Sequence, residues 1–215
     1  MGDDDTVYFT DNLVSVLAKY DHHQMWYIGG NSESVEQDVM HTYGMAFGGG
    51  GFAISYPLAE KLVKILDGCL DRYYYFYGSD QRIWACISEI GVPLTREQGF
   101  HQFDIRGSAY GLLAAHPVAP LVSLHHLDYV DSLFPYKNQM DSLKSLNRAY
   151  QLDPPPVPLA TASQGPANSI ADIQNMEELE CWTIHIQYPT MKSNPCELPV
   201  VFMLEQAEEV ARVGP

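Results

Sequence analysis

The chain has 215 residues, 46% apolar and 12% aromatic, enough for one sizeable hydrophobic core and unlike a disordered tail. Twenty-seven acidic against 12 basic side chains leave a formal charge of −15, which repels nucleic acid and anionic lipid headgroups and argues against both as partners. No stretch approaches the roughly 18 to 20 continuous apolar residues of a membrane span, and no basic, apolar, small-residue leader opens the chain, so the sequence as written reads as soluble and untargeted.

The chain opens with Asp3-Asp4-Asp5-Thr6. Carboxylates this close, if they sit in a folded cleft, call for a hard, oxygen-seeking cation such as Mg²⁺ or Mn²⁺. On a solvated end they are an ordinary acidic run. Residues 7–9 are β-prone, and Asp11 is placed to cap a helix carrying Leu13, Val14, Val16 and Leu17 that ends near Lys19-Tyr20. The carboxylates then lie where a strand meets a loop. His22 and His23 read as loop surface. Residues 25–28 read as a second strand ended by Gly29-Gly30, and residues 31–41 as a polar loop or irregular connection.

Gly48-Gly49-Gly50-Gly51 lies between Phe47 and Phe52-Ala53-Ile54. Four glycines allow positive φ and close approach of another group to the main chain, and the apolar flanks argue against a flexible linker. The motif is neither a Walker loop nor a dinucleotide turn. Ser55 is placed to cap a helix with Pro57 in its first turn and Leu58, Leu62, Ile65, Leu66 and Cys69 at core spacing. The run Tyr73-Tyr74-Tyr75-Phe76-Tyr77 is suited either to ordinary packing or to stacking on sugar rings. Asp80 follows at the start of a helix bearing Ile83, Trp84, Ile87 and Ile90 and stopped by Gly91, where capping alone accounts for an Asp.

Residues 99–104 read as a loop, and 112–122 as a region broken by Pro117 and Pro120. Residues 121–124 read as a strand delivering His125-His126-Leu127-Asp128. Adjacent histidines on a strand point to opposite sides, so one at most is expected to face a given site. The four cysteines lack zinc-site spacing. Cys69–Cys86 and Cys181–Cys196 are either disulfides in an oxidising compartment or buried free thiols.

In chain order, an Asp-Asp-Asp turn, a Trp-Tyr-Ile-Gly strand, Phe-Gly-Gly-Gly-Gly-Phe-Ala-Ile-Ser entering a helix, Gly-Ser-Asp opening another, and Ser-Leu-His-His-Leu-Asp resemble the Fringe-like β-1,3-glycosyltransferases. That group includes core-1 galactosyltransferase, and the chain is most similar to its plant members of undefined substrate. The resemblance covers residues 1–153 and a short later piece, 195–202. It implies an α/β fold of the GT-A nucleotide-sugar transferase type, a mixed sheet with flanking helices, and inverting transfer of a hexose or N-acetylhexosamine from a UDP-sugar to an acceptor hydroxyl. By that resemblance Asp5 and His125, with His126 as the alternate, hold Mn²⁺ or Mg²⁺, and Asp80 is the catalytic base. Asp3, Asp4, Gly48, Gly49, Gly51 and Trp26 lie against the donor. The implied partners are a UDP-sugar and a glycan or glycoprotein acceptor, with a homo-oligomer allowed, and the implied location is the Golgi lumen as a type II membrane protein.

Members of that group begin with an anchor, a stem and a nucleotide-binding βα half, so this sequence is expected to be an N-terminally truncated catalytic part in which Met1 corresponds to an internal methionine. Residues 154–167 read as a Pro/Ala/Ser-rich linker. Residues 168–215 read as a small α/β extension, with helix expected at 168–180 and 205–212 and strand at 182–186 and 200–204. Two alternatives stand beside the transferase: a non-catalytic, transferase-derived interaction domain, and a haloacid-dehalogenase-like phosphatase, since Asp3-Asp4-Asp5-Thr6-Val7 also fits that family's nucleophile motif.

Overall fold

A computed structural model describes residues 1–113 and 119–152. The expected linker, the C-terminal extension and the Cys181–Cys196 pair lie outside the described residues. The fold is mixed α/β, built on two three-stranded sheets where one mixed sheet was expected.

The first sheet has β2 (Tyr27–Gly29) at its centre, antiparallel to β3 (Phe52–Ile54) and parallel to β4 (Leu94–Arg96). Tyr27 pairs with Ile54 on one side and Leu94 on the other, so every backbone group of this short strand has a ladder to join. Met1 adds to the outer edge of β3: its amino group donates to Phe52 O (2.6 Å) and its carbonyl accepts from Phe52 N (2.9 Å). The second sheet places β6 (Ser123–Leu124) between β1 (Val7–Tyr8), antiparallel, and β5 (Phe100–His101), parallel.

Against the first sheet packs a helical hairpin of α3 (Tyr56–Arg72) and α4 (Ser79–Ile90). Its core joins Tyr27, Phe52 and Ile54 to Leu58, Leu62, Ile83 and Ile87, the positions marked by helical spacing. The Cys69–Cys86 disulfide ties the two helices, with Cα atoms 5.8 Å apart, which decides between the two readings of these cysteines. Gly91 ends α4 at φ 86°, where a side chain would be strained. A separate core under the second sheet gathers Phe9, Phe103, Leu121, Leu124 and Leu146, the last from α6 (Gln139–Leu152). Between the sheets, Ile28 and Ala53 of one meet Phe100 and Val122 of the other, with Val16 and Leu17 of α1 (Thr10–Leu17) closing the cluster.

Four local expectations differ. Residues 99–104, read as a loop, contain β5, because Phe100 and His101 pair in parallel with Ser123 and Leu124. Asp11 lies inside the first turn of α1 rather than capping it; the cap position is Phe9 and carries no side-chain cap bond. The segment read as an irregular loop contains α2 (Val35–Met40), whose cap Ser34 accepts from Gln37 N. Ser55 does precede α3, but its hydroxyl accepts from Trp26 N (2.8 Å) across the sheet instead of from the helix. A further short helix, α5 (Tyr110–Leu113), precedes β6. Among the described residues no helix is long and apolar enough to cross a membrane.

Candidate active site

The acidic run folds as a tight turn. Thr6 N donates to Asp3 O (3.2 Å) and Asp3 N donates to Thr6 Oγ1 (2.8 Å), which leaves the carboxylates of Asp3, Asp4 and Asp5 outside the turn. Thr6 Oγ1 in turn donates to Gly49 O (2.8 Å), so the acidic turn is fastened directly to the glycine run. A second anchor is Tyr8, whose hydroxyl donates to Met1 O; burial first, and the Asp3 charge second, push that hydroxyl above the ordinary phenol range.

The glycine run is itself a closed turn, with Gly51 N donating to Gly48 O (3.1 Å) and Gly51 at φ 80°. Its members are gripped from several sides. Gly50 N donates to Gln102 Oε1 (2.6 Å), Ser123 Oγ donates to Gly50 O, and Gly48 N donates to Asp80 Oδ2 (2.8 Å). Glycine at position 49 answers a specific close approach: a Cβ there would stand 2.1 Å from Cε1 and 2.5 Å from Nε2 of His125.

His125 is buried at the end of β6. Its Nδ1 lies 3.1 Å from the carbonyl oxygen of Gln102, a contact that orients the ring. Its Nε2 faces the acidic turn, 2.9 Å from Asp5 Oδ1 and 3.8 Å from Asp3 Oδ2. His126 does not point away as a strand residue would. The chain turns left-handed at this residue (φ 49°, ψ 38°), and the two rings lie side by side with centroids 3.7 Å apart. Ligand atoms of Asp5, His125 and His126 therefore fall within 4.8 Å of one another, and the expectation that one histidine at most could face the site is corrected by this backbone turn. His126 Nδ1 also lies 3.4 Å from Asp104 Oδ1.

One carboxylate and two imidazoles, in a cradle left open by Gly49, suit a divalent cation that accepts both oxygen and nitrogen. Asp21, His22 and His23 form another close acid and histidine group on a surface turn. There the Asp21 carboxylate is engaged by His23 N (3.0 Å) and Gln24 Nε2 (3.1 Å), which hold it below the usual carboxylate range.

Asp80 sits in the first turn of α4, with Gly78 at the cap position. One oxygen reaches across to Gly48 N and the other accepts from Gln81 N (2.8 Å). It lines an open cleft of about 250 Å³ together with Phe47, Gln102, Asp104 and His126. Gln37 and His41, from α2 and the residue that follows it, close another side.

The opposite wall is fixed by a polar latch: Glu33 receives Phe103 N (2.7 Å) and meets His101 Nδ1 (2.9 Å), while Ser32 Oγ donates to Asp104 Oδ2 (2.6 Å). Behind it Asp38 is buried, and that burial, with the nearby charges of Glu33 and Asp104, raises its carboxyl despite the bond from Ser32 N and the charge of Arg96.

Of the residues singled out in the sequence, Asp3, Asp5, Gly48, Gly49, Gly51, Asp80, His125 and His126 thus surround one turn, and exposed Asp4 belongs to the same acidic turn. Trp26 stands apart. Its indole nitrogen donates to Asp21 O (2.8 Å) and its ring, just before β2, leans on Tyr20. Gln102, Asp104, Thr6 and Ser123 escaped sequence reasoning, because nothing local marks a polar residue whose partner is more than 40 positions away.

No curated protein matches the chain. A family model described as "Protein of unknown function, DUF604" matches residues 37–163, a span that includes the glycine turn, Asp80 and both histidines and begins downstream of Asp3–Asp5. Since that span is more than half of its length, the chain belongs to the DUF604 family of proteins of unknown function.

Proposed function

We propose that this chain carries the catalytic centre of a metal-dependent, inverting glycosyltransferase of the Fringe-like, GT-A type, which moves a sugar from a UDP-sugar to an acceptor hydroxyl. One observation carries the reading: a single glycine turn touches both halves of the chemistry, with His125 against Gly49 and Asp80 bonded to Gly48 N. The Cys69–Cys86 disulfide supports a secretory lumen such as the Golgi as the place of work.

Asp5 and His125, with His126 beside them, would hold Mn²⁺ or Mg²⁺. When bound, that cation supplies positive charge next to the departing diphosphate. The chain's own residues do the rest. The glycine turn offers side-chain-free backbone against which a donor sugar can lie. Asp80, oriented by Gly48 N, accepts the proton of the acceptor hydroxyl as that oxygen bonds to the anomeric carbon. The bond from that carbon to the diphosphate oxygen breaks, its electron pair leaves with the nucleoside diphosphate, and the configuration inverts.

Asp80→Asn tests this assignment. Asparagine keeps an oxygen for Gly48 N but cannot take the proton, so sugar transfer should fall by on the order of 10²- to 10⁴-fold while UDP-sugar affinity stays unchanged. Retained transfer, or loss of donor binding, would remove Asp80 from the role of base.

A further inference from the structure

The loop joining α3 to α4 presents aromatic rings to solvent on a fixed support. Tyr74, Tyr75 and Tyr77 are 74%, 63% and 99% exposed. The loop beneath them is tied at both ends. The Cys69–Cys86 disulfide closes the hairpin, and Arg82 of α4 donates from Nε to Phe76 O (2.8 Å) and from Nη2 to Tyr74 O (3.0 Å). Phe76 N donates to Tyr73 O (3.1 Å), and the rings of those two residues stack with centroids 5.8 Å apart and planes 7° from parallel. Tyr75 leans on Phe76 at 4.7 Å. A loop held this way presents its rings without first having to be ordered by a ligand.

The loop leads along the chain to the cleft: Tyr77 is followed by Gly78, and both Gly78 and Asp80 line the cavity. Its chemistry is also selective. Each tyrosine combines an apolar, electron-rich face with a hydroxyl at the rim, which matches the CH face and the hydroxyls of a pyranose ring. The last turns of α3, which lead into the loop, expose Asp67, Asp71 and Arg72, so charged side chains flank the rings on that side. A chain of charge −15 repels acidic sugars.

We propose that Tyr74, Tyr75 and Tyr77 form a stacking platform for a neutral oligosaccharide, so that the acceptor is a glycan chain running several units beyond the hydroxyl that reacts. The acceptor role rests on the transferase reading above; the binding of neutral glycan does not.

The full chain is titrated with neutral cello-, manno- and galacto-oligosaccharides, from disaccharide to hexasaccharide, and binding is followed by saturation-transfer NMR and calorimetry. Affinity for at least one series should rise with length. The triple variant Tyr74→Ser, Tyr75→Ser, Tyr77→Ser should lose that length dependence and bind the hexasaccharide on the order of ten-fold more weakly. The matching triple change to Phe should keep most of the affinity, since the ring faces remain. An unchanged thermal midpoint in the serine variant shows that the fold has survived. Binding of no series, binding independent of length, or equal binding by the serine variant would overturn the platform. Failure of UDP to bind with Mn²⁺ would instead count against the transferase reading and leave the glycan result standing.

Discussion

The sheet β3-β2-β4 and the sheet β1-β6-β5 share a strand count and a mixture of one parallel and one antiparallel pairing, yet their surroundings differ in kind. The first is backed by an apolar hairpin, with Leu58, Leu62 and Ile87 fully buried and a disulfide across it. The second carries buried polar side chains at the end that meets the glycine turn: Ser123, Gln102 and His125 each meet a backbone group, and Asn12 Nδ2 donates to Leu121 O (2.8 Å). Burying polar groups costs free energy unless each is paired, and pairing leaves few alternative geometries. The hairpin side therefore supplies stability, and the turn side converts part of it into one fixed arrangement of Asp5, His125 and Asp80.

Perturbing each side separately sharpens the contrast. Replacing both Cys69 and Cys86 by Ala should lower the unfolding free energy by about 3 kcal/mol, as expected for a loop of this length, and leave Mn²⁺ affinity unchanged. Denaturant unfolding and Mn²⁺ electron paramagnetic resonance measure the two quantities, and a linked loss of cation affinity would break the separation.

Gly49→Ala and Gly91→Ala form a matched pair. At Gly49 the new Cβ must push the His125 ring aside, so cation affinity should fall about 10- to 100-fold. At Gly91 nothing lies within 4 Å, and the cost is backbone strain at φ 86°, about 1–2 kcal/mol of stability with no change in cation binding.

The smallest effect is expected at Asp38. Its carboxyl titrates above the usual carboxylate value in the folded protein, mainly because it is buried, so the folded state binds more protons than the unfolded chain in that window. Stability should therefore decline as pH rises from the unfolded carboxylate value through the raised folded one. Asp38→Asn keeps an acceptor for Ser32 N and should flatten that decline in thermal melts across the acid range. A steeper decline in the variant would contradict the assignment.

Much of the apolar side was legible in the sequence. Helical spacing identified α3 and α4, Gly91 marked the end of α4, and the strand delivering His125 lies where the β-prone residues placed it. The polar side was legible by position and not by partner. Ser55 and Asp80 sit at the helix starts where capping preference puts them, but Ser55 accepts from Trp26 N and Asp80 from Gly48 N, because a buried backbone donor on another strand or turn needed an acceptor. The signal for α2, Ser34 followed three residues later by Gln37, was present and was outweighed by the polarity of its surroundings. The convergence of His125 and His126 had no such signal, since it depends on a left-handed turn at a non-glycine residue.

The most direct test of the central claim is calorimetric titration of UDP into the full chain with Mn²⁺ and with EDTA, repeated for Asp5→Asn and His125→Ala. The account predicts binding that requires Mn²⁺ in the parent chain and weakens at least about ten-fold in both variants. UDP binding that is the same with EDTA, or unaffected by losing Asp5 and His125, would contradict a metal-and-diphosphate site at the glycine turn.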